Sequence, residues 1–396
     1  MSHARKKNLK FRTNYIFSNN NNNITLGELE TSYMNTLVGN FKFNPVGHGL
    51  FYSGTLTHIK SQKKFSFVYD CGGKNRTIVN NAISTADLPQ KIDLLIISHF
   101  HADHIKGVPL IKDRVKKVIL PYLDNNLQIL YLAALASNSS TEDFEELKGL
   151  ILKPKEYFGN DVEVIQYENS EDTQRLEINY DEDGFSSNMN SGKLNKSSSE
   201  KIIWTFHFFM PKHATNASSM TSFFYNNSIT TDNAKDHWDE IKKEMTRLQL
   251  NDNISNLVCA HGPTTALYLE SIHSNILSPF YLNYNFRYCL YEYNFGFQFL
   301  TGDAEIDDEF AFVGIYKEEL SKSLLFQIPH HGSKSNWHDW FSNYQPFCFL
   351  WPVTHNANHK FRSGTFPSAT FTYIVPHSVT EIPKTTLGLQ MHFLFK

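Results

Sequence analysis

Hydrophobic residues along the chain follow two alternating patterns, one typical of β-strands and one typical of amphipathic helices. Short apolar or alternating runs predict strands at 50–59, 64–70, 93–98, 116–120, 161–167, 202–210, 255–260, 287–301, 324–328, 347–353 and 389–395. Apolar residues three and four positions apart predict helices at 127–136, 142–152, 234–250 and 304–320. Strands followed by helices occur twice along the chain. This order predicts an α/β (α+β) fold in which two sheets pack face to face and helices cover them.

Two polar segments lack both patterns. Residues 1–36 contain five consecutive asparagines and a basic arm, which predicts a flexible N-terminal tail, with a phosphate-binding arm as the alternative. Residues 168–201 are dominated by Ser, Asn, Asp, Glu and Gly, which predicts a long mobile surface insertion. The remaining chain, 37–396, is predicted to form one folded domain around that insertion.

Composition narrows the class of protein. Hydrophobic residues make up 41% of the 396 positions, and 32 Phe and 19 Tyr favour packed sheets. The formal net charge of −3 gives no overall attraction to nucleic acid, so phosphate binding would need a local positive patch. The four cysteines form no Cys-x-x-Cys pair, which favours reduced thiols in a cytoplasmic protein. No apolar run approaches the about 18–20 residues needed to cross a bilayer, and no secretory signal is expected.

The densest group of candidate metal ligands follows the predicted strand at 93–98. The segment Ser98-His99-Phe100-His101-Ala102-Asp103-His104 holds three imidazoles and a carboxylate, the groups that bind catalytic divalent metals. The spacing predicts that His99 and His101 share one ion, while Asp103 and His104 lie near a second. A chance cluster is the alternative, because the chain contains 18 histidines. The strand before the motif and the helix after it favour the metal site.

Three further segments place a possible ligand directly after a predicted strand. Asp70 begins the sequence Asp-Cys-Gly-Gly, Asp303 ends Thr-Gly-Asp, and His330 and His331 lie in Pro-His-His-Gly-Ser. Functional side chains gather in the loops at one end of the strands in sandwiches and α/β folds. Each of these segments alone is more often a turn or an ordinary surface histidine. Their appearance together with the 98–104 motif favours a common site.

In this order the motifs resemble those of metallo-β-lactamase-fold hydrolases. Within that superfamily they are most similar to the hydrolase domain of ComEC-type DNA-uptake proteins and its stand-alone relatives. The matching segments are Val-Gly-His-Gly at 46–49, Tyr-Asp-Cys-Gly at 69–72, the motif at 98–104, Asn-Ile-Ser-Asn-Leu-Val at 253–258, Leu-Thr-Gly-Asp-Ala-Glu at 300–305 and Pro-His-His-Gly-Ser-Lys at 329–334. The resemblance covers residues 41 to about 370. It implies a four-layer αββα sandwich with a dinuclear metal site at the sheet edge.

The chain departs from the family pattern at three places. His48 stands where the family has Gln, which leaves the role of that position open. The closing Gly-His-Pro motif has only a partial counterpart in Gly-Thr-Phe-Pro at 364–367, where Phe stands for His, and His355 or His359 could supply the missing imidazole. The histidine of the third motif is also absent, with His213 and His261 as the nearest candidates, although each is more often a surface or core histidine.

The resemblance implies a role for each remaining candidate. The implied metal ligands are His99, His101, Asp103, His104, Asp303 and His330. Asp70 would orient a ligand imidazole. Asp103 and His331 would be the catalytic residues, with His331 donating a proton to the leaving group or contacting the transition-state charge. Ser333 and Lys334 would contact a phosphate. The cofactors would be two divalent ions, Zn²⁺ or alternatively Mn²⁺.

The resulting hypothesis is a metal-dependent phosphodiesterase or nuclease that uses a dinuclear site and metal-bound hydroxide. Its expected substrate is single-stranded nucleic acid or a nucleotide, because the net negative charge argues against tight non-specific duplex binding. The alternatives are a lactone- or thioester-type hydrolase on the same site and a non-catalytic scaffold with a decayed site. Stand-alone relatives also suggest an anti-phage defence context. No membrane partner is expected, and the sequence identifies no protein partner.

Overall fold

The structure, a computed structural model, describes the chain in ranges separated by gaps. They are 37–58, 61–168, 174–181, 184–191, 202–211, 219–248, 250, 256–263, 267–273, 290–293, 296–306, 309–332, 336, 338, 340–341, 348–350, 372–374 and 390–395. The predicted tail at 1–36 lies outside these ranges, as do the candidates His213, Ser333, Lys334, His355 and His359.

Strands form the central layers of the molecule. In chain order they are β1 (Leu37–Phe43), β2 (Phe51–His58), β3 (Lys64–Cys71), β4 (Leu94–Ile96), β5 (Lys117–Pro121), β6 (Glu163–Tyr167), β7 (Gln174–Asp181), β8 (Gly184–Ser191), β9 (Ile202–Phe209), β10 (Val258–Pro263), β11 (Leu267–His273), β12 (Leu290–Tyr293), β13 (Phe297–Leu300), β14 (Ser323–Gln327), β15 (Cys348–Leu350), β16 (Thr372–Ile374) and β17 (Gln390–Phe395). The described strands form one sheet of order β12-β11-β17-β1-β2-β3-β4-β5-β6 and a second of order β16-β15-β14-β13-β10-β9-β7-β8.

Helices lie between the strands along the chain. They are α1 (Arg76–Thr85), α2 (Ala102–Ile105), α3 (Val108–Ile111), α4 (Asn125–Asn138), α5 (Thr141–Leu152), α6 (Pro154–Phe158), α7 (Thr221–Asn226), α8 (Trp238–Arg247) and α9 (Glu309–Leu320). Side chains cap several of them. Asn75, Asp124 and Ser140 each accept a hydrogen bond from a backbone N–H in the first turn of α1, α4 and α5. No helix of the described residues has the length and hydropathy needed to span a membrane.

Three hydrophobic clusters define four layers. Phe67 and Trp204 belong to the cluster between the two sheets, whereas Val68, one residue after Phe67, packs with the helices outside the first sheet. This alternation follows from the two-residue period of a strand. A third cluster joins the outer face of the second sheet to Phe312 and Tyr316 of α9. The two-sheet α/β architecture with outer helices confirms the predicted fold class.

Part of the segment predicted as a mobile surface insertion, 168–201, is regular strand in the structure. Residues 174–181 and 184–191 form a β-hairpin at the edge of the second sheet, and β7 pairs with β9. Leu176 and Ile178 alternate with polar residues and are buried between the sheets. This alternation is a strand signal that the high Ser and Asn content of the segment obscured.

Two other elements differ from their predictions. The strand predicted at 287–301 is two strands, β12 and β13, which belong to different sheets. Asn294 and Gly296, both turn-forming residues, lie between them. The helix predicted at 234–250 is a short 3₁₀ turn followed by α8, because the backbone at His237 leaves the helical region (φ −118°, ψ 17°).

Candidate metal centre

The two sheets meet at the edge where the predicted ligands lie. The strands β3 and β4 are parallel in the first sheet, and β13 and β14 are parallel in the second. The hydroxyl of Tyr69 donates to the carbonyl oxygens of Leu257 (2.8 Å) and Leu300 (3.0 Å), which joins the sheets beside this edge. Gly302 (φ 54°) lies against Ser98, and a Cβ there would be 2.8 Å from the Ser98 Cβ. Glycine therefore permits the close approach of the two ligand-bearing loops.

An inner cluster consists of His99, His104 and Asp303. Their ligand atoms all lie within 4.8 Å of one another. His104 Nε2 is 3.1 Å from Asp303 Oδ1, and His99 Nε2 is 3.7 Å from Asp303 Oδ2. Both imidazoles are fully buried, and the Asp303 residue is 3% exposed. The cluster thus combines one carboxylate and two imidazoles in a site closed to bulk water.

An outer cluster consists of His48, Asp103 and His331. His331 Nε2 is 3.4 Å from Asp103 Oδ2, and His48 Nε2 is 3.7 Å from the same oxygen. The side chains of His48 and Asp103 are 12% and 17% exposed, so this cluster lies nearer the surface than the inner one. His331 Nε2 is also 3.6 Å from Asp303 Oδ1. The two clusters are therefore direct neighbours.

The inner cluster fits a divalent metal ion. His99 Nε2 is buried and has no hydrogen-bond partner among the residues that the structure describes. An unpaired polar atom in a dry site costs about 1–3 kcal/mol, and coordination to a cation removes that cost. Imidazole nitrogen with carboxylate oxygen is a donor set suited to zinc and to manganese.

Asp70 links both buried imidazoles of the inner cluster. It accepts hydrogen bonds from the backbone N–H of Ser98 (2.7 Å) and from the Ser98 hydroxyl (2.6 Å), and its Oδ2 lies 2.8 Å from His104 Nδ1. Because the Ser98 hydroxyl donates to Asp70, its oxygen accepts from His99 Nδ1 (2.9 Å). Both histidines are thereby held with Nε2 directed at Asp303.

Strained backbone conformations occur at three residues of the site. Asp70, His330 and His331 have φ values of 52°, 47° and 51°, a region that non-glycine residues rarely adopt. Such conformations cost of order 1–3 kcal/mol each and persist where the surrounding structure fixes them. Because three such residues lie at this edge, the placement of their side chains, and not the conformational preference of the backbone, determines the local structure.

The charges of the inner cluster are strongly coupled. Burial by itself lowers the pKa of His104, but the neighbouring carboxylates Asp303 and Asp70 raise it well above its usual value of 6.5. Burial by itself raises the pKa of Asp303, but the positive charges of His104 and His331 hold it well below the usual range. Burial and the charge of His104 lower the pKa of His99. In the metal-free protein, these neighbours therefore favour the protonated form of His104 and the neutral form of His99.

The outer cluster shows the same opposition of burial and charge. Burial lowers the pKa of His331, while Asp303 and Asp103 together raise it above 6.5. Burial raises the pKa of Asp103, but the hydrogen bond from His331 and the charge of His104 hold it well below its usual value. Both carboxylates are consequently ionised at neutral pH, as metal ligands must be.

The structure groups the ligands of the 98–104 motif differently from the prediction. His99 lies with His104, not with His101, and Asp103 lies in the other cluster. Asp103 and His104 are successive residues of α2, so their side chains point about 100° apart around the helix axis. His101 is the N-cap of α2; its ring is 4.8 Å from that of His99 and 5.6 Å from Tyr131, outside both clusters.

The two histidines after β14 also differ from their predicted places. His331, predicted as the proton donor, is buried within the outer cluster. His330, predicted as the ligand, lies at the rim with its side chain 33% exposed and Nε2 3.9 Å from Asp303 Oδ2. Its Nδ1 lies 3.0 Å from Asn336 Oδ1. His330 and His331 have nearly equal φ values. Their different burial therefore reflects their successive positions in the turn, which direct the two side chains to different sides.

Two histidines left open by the sequence have clear positions. His48 belongs to the outer cluster, and the sequence signal for it was its place between two glycines in a turn between strands. His261 is fully buried in the core between the sheets, where its ring packs against aromatic side chains, and it belongs to neither His/Asp cluster. The sequence also gave no indication of the parts played by Ser98, Asn256 and Asn336. Asn256 Oδ1 accepts from the Asp303 N–H (3.2 Å), and Asn336 Nδ2 donates to the Asp303 carbonyl oxygen (3.3 Å).

Comparisons with known proteins give one family match and several matches to solved structures. The solved structures that match include the metallo-beta-lactamase fold protein YhfI from Bacillus subtilis (11% identity, TM-score 0.20) and a diphosphatase from the PhnP family (13% identity, TM-score 0.18). The matches cover 39% and 40% of this chain and only 59% and 62% of those proteins. No curated protein matches significantly. Residues 57–142 match the model of the Metallo-beta-lactamase superfamily, and the two-sheet α/β architecture is consistent with the metallo-β-lactamase fold.

Proposed function

We propose that this protein is a metal-dependent hydrolase that cleaves phosphodiesters. The observation that carries the proposal is the meeting of two His/Asp clusters from distant segments at one edge of the sandwich. Structural histidines are usually hydrogen-bonded, whereas His99 Nε2 has no such partner in the described structure. Coordination to a bound cation would best account for this buried nitrogen without a hydrogen-bond partner.

The described residues suggest two adjacent positions for divalent ions. His99, His104 and Asp303 would hold the inner ion, and Asp103 with His331 would contribute to the outer one. When bound, a pair of such ions activates water at neutral pH and neutralises the charge that develops on a phosphoryl group. Zinc is our first choice because both clusters contain more nitrogen than oxygen ligands, with manganese as the alternative.

The protein's own side chains prepare the site for that chemistry. Asp70 holds the Nδ1 proton of His104, and through the Ser98 hydroxyl it also fixes the Nδ1 proton of His99. The Nε2 atoms are thereby directed at the metal position without further reorganisation. His330 lies at the rim, where its Nδ1 is 3.0 Å from Asn336 Oδ1 and its Nε2 faces Asp303 Oδ2 at 3.9 Å, so its ring is oriented toward the site.

Two features favour a phosphodiester substrate over a lactone or thioester. The clusters are in contact through His331 and Asp303, as in-line displacement at phosphorus between two ions requires. The resemblance of the 300–305 and 329–334 segments to ComEC-type proteins supports a nucleic acid or nucleotide. Ser333 and Lys334, directly after His331, remain predicted phosphate contacts outside the described residues.

A comparison of model substrates tests the proposal. The purified protein is assayed with bis-p-nitrophenyl phosphate, a lactone and a thioester, each with zinc and with manganese. Asp303→Asn serves as the inactive control, and His237→Gln, a histidine substitution outside both clusters, as the matched active control. We expect turnover of the phosphodiester alone, lost in Asp303→Asn and kept in His237→Gln.

Other outcomes assign the protein differently. Faster cleavage of the lactone or thioester would make it a hydrolase of that class. Absence of turnover together with absence of metal binding would make it a non-catalytic scaffold. If phosphodiester cleavage is found, a panel of single-stranded DNA, duplex DNA, RNA and cyclic nucleotides identifies the substrate class, with single strands or nucleotides expected first.

A further inference from the structure

We infer that His48, from the turn between β1 and β2, is a ligand of the outer metal ion. No matched family motif supplies a ligand from this turn, and His355 and His359, the candidates for the closing motif, lie outside the described residues. Among the described residues, His48 would complete the coordination set begun by Asp103 and His331. The inference rests on the proposed metal-dependent function.

The spacing of the three ligand atoms fits coordination to one ion. Zinc binds imidazole nitrogen and carboxylate oxygen at about 2.0–2.2 Å, so two ligands at tetrahedral angles lie about 3.3–3.6 Å apart. His331 Nε2 and His48 Nε2 lie 3.4 and 3.7 Å from Asp103 Oδ2. The first distance falls within that separation and the second lies just beyond it, so one ion could reach all three ligand atoms with small shifts.

The sequence around His48 is built for this position. Gly47 (φ 77°) and Gly49 (φ 140°) flank it, and both conformations favour glycine. A Cβ at Gly49 would be 2.5 Å from the carbonyl oxygen of Asp103, so only glycine allows the turn to pack against the ligand loop. The Leu50 N–H donates to that same carbonyl (3.2 Å), and the Lys74 N–H donates to the His48 carbonyl (2.9 Å). The backbone on both sides of His48 is therefore fixed relative to Asp103.

The ring of His48 is fixed as well. It packs against His331 with ring centroids 4.2 Å apart and is only 12% exposed. Two imidazoles in contact repel each other when both are protonated, whereas two neutral imidazoles can share one cation. Three protein ligands also leave a fourth position open, which is the arrangement of catalytic rather than structural zinc sites. This cluster is also the more exposed of the two, as access of a substrate to an open position would require.

Zinc binding to the full-length protein tests the inference without reference to activity. Metal-free wild type, His48→Gln, His48→Phe and the control His237→Gln are titrated with zinc against a chromophoric chelator, and bound zinc is counted by mass spectrometry. His48→Phe keeps a ring beside His331 but removes both nitrogens. We expect two zinc ions in wild type and in the control. Both His48 variants should keep the first and bind the second at least about tenfold more weakly.

The outcomes separate this inference from the proposed function. If wild type binds two zinc ions and both His48 variants bind the second as tightly as wild type, His48 is not a ligand, although the metal centre stands. If wild type binds no zinc, the proposed metal-dependent function is wrong, and the inference about His48 is wrong with it. Melting temperatures measured in EDTA show that each variant is folded, and a variant that is unfolded is replaced in the comparison by the other one.

Discussion

Substitution of His261 tests whether this histidine belongs to the hydrophobic core and not to the metal centre. His261 is fully buried, and neither ring nitrogen has a hydrogen-bond partner in the described residues. Five aromatic rings surround it at centroid distances of 5.1–5.7 Å, those of Phe41, Tyr52, Phe67, Trp204 and Phe206. A phenylalanine ring suits this environment. We therefore expect His261→Phe to stabilise the protein.

The size of the effect follows from two contributions. Burying a polar group without a partner costs about 1–3 kcal/mol, a cost that His261→Phe removes at all pH values. Burial also lowers the pKa of His261 from 6.5 to about 3. In that range the unfolded chain binds a proton that the folded protein does not, so wild-type stability falls as pH falls from 6.5 toward 3. One pKa unit is about 1.4 kcal/mol, so between about pH 7.5 and 4.5 the loss at this residue is about 2.5 kcal/mol.

Urea denaturation at these two pH values provides the assay. Both proteins are measured in EDTA, so that metal binding makes no contribution, and the midpoints are compared at equal m-values. The stability advantage of His261→Phe should grow by about 2.5 kcal/mol from the higher to the lower pH. An advantage independent of pH would refute the buried, neutral state of His261. Loss of bound zinc in His261→Phe would refute its placement outside the metal centre.

The metal centre yields three further predictions. Asp70→Asn should weaken zinc binding about 10–100-fold, because both ligand imidazoles lose their orienting carboxylate, and unchanged affinity in a chelator competition would contradict this role. His99→Ala should lose one bound zinc while His101→Ala keeps both, as counted by mass spectrometry; loss of one zinc in both variants would restore the pairing expected from sequence. Zinc binding should release protons and weaken as pH falls, because the metal must displace the proton that the carboxylates hold on His104. Calorimetry in two buffers of different ionisation enthalpy measures that release, and equal heats in both would count against it.

The sequence predicted the frame of the fold because strand patterning and strand ends are local features. The predicted strands at 64–70 and 116–120 lie within one residue of β3 and β5. Ligands placed after strands, such as Asp303, meet at one edge because parallel strands share the direction of their carboxyl ends. Strand ends along the chain therefore sufficed to predict which segments meet at this edge of the sandwich.

The grouping of ligands could not be derived in the same way. Sequence spacing suggested that His99 and His101 pair, but the helix that begins at residue 102 turns Asp103 and His104 toward different clusters. His48 joins the site only through glycine conformations that bring one turn against another loop. The hairpin at 174–191 escaped detection because edge strands tolerate polar side chains that resemble loop composition. The ligand grouping, the position of His48 and the hairpin all depend on tertiary contacts, which local sequence patterns do not reveal.

Anomalous diffraction at the zinc edge, from crystals of the zinc-loaded protein, is the most direct test of the account. Two peaks should appear at the sheet edge, one coordinated by His99, His104 and Asp303 and the other beside Asp103. Absence of zinc from this edge, or a peak that these side chains do not coordinate, would contradict the proposed metal centre.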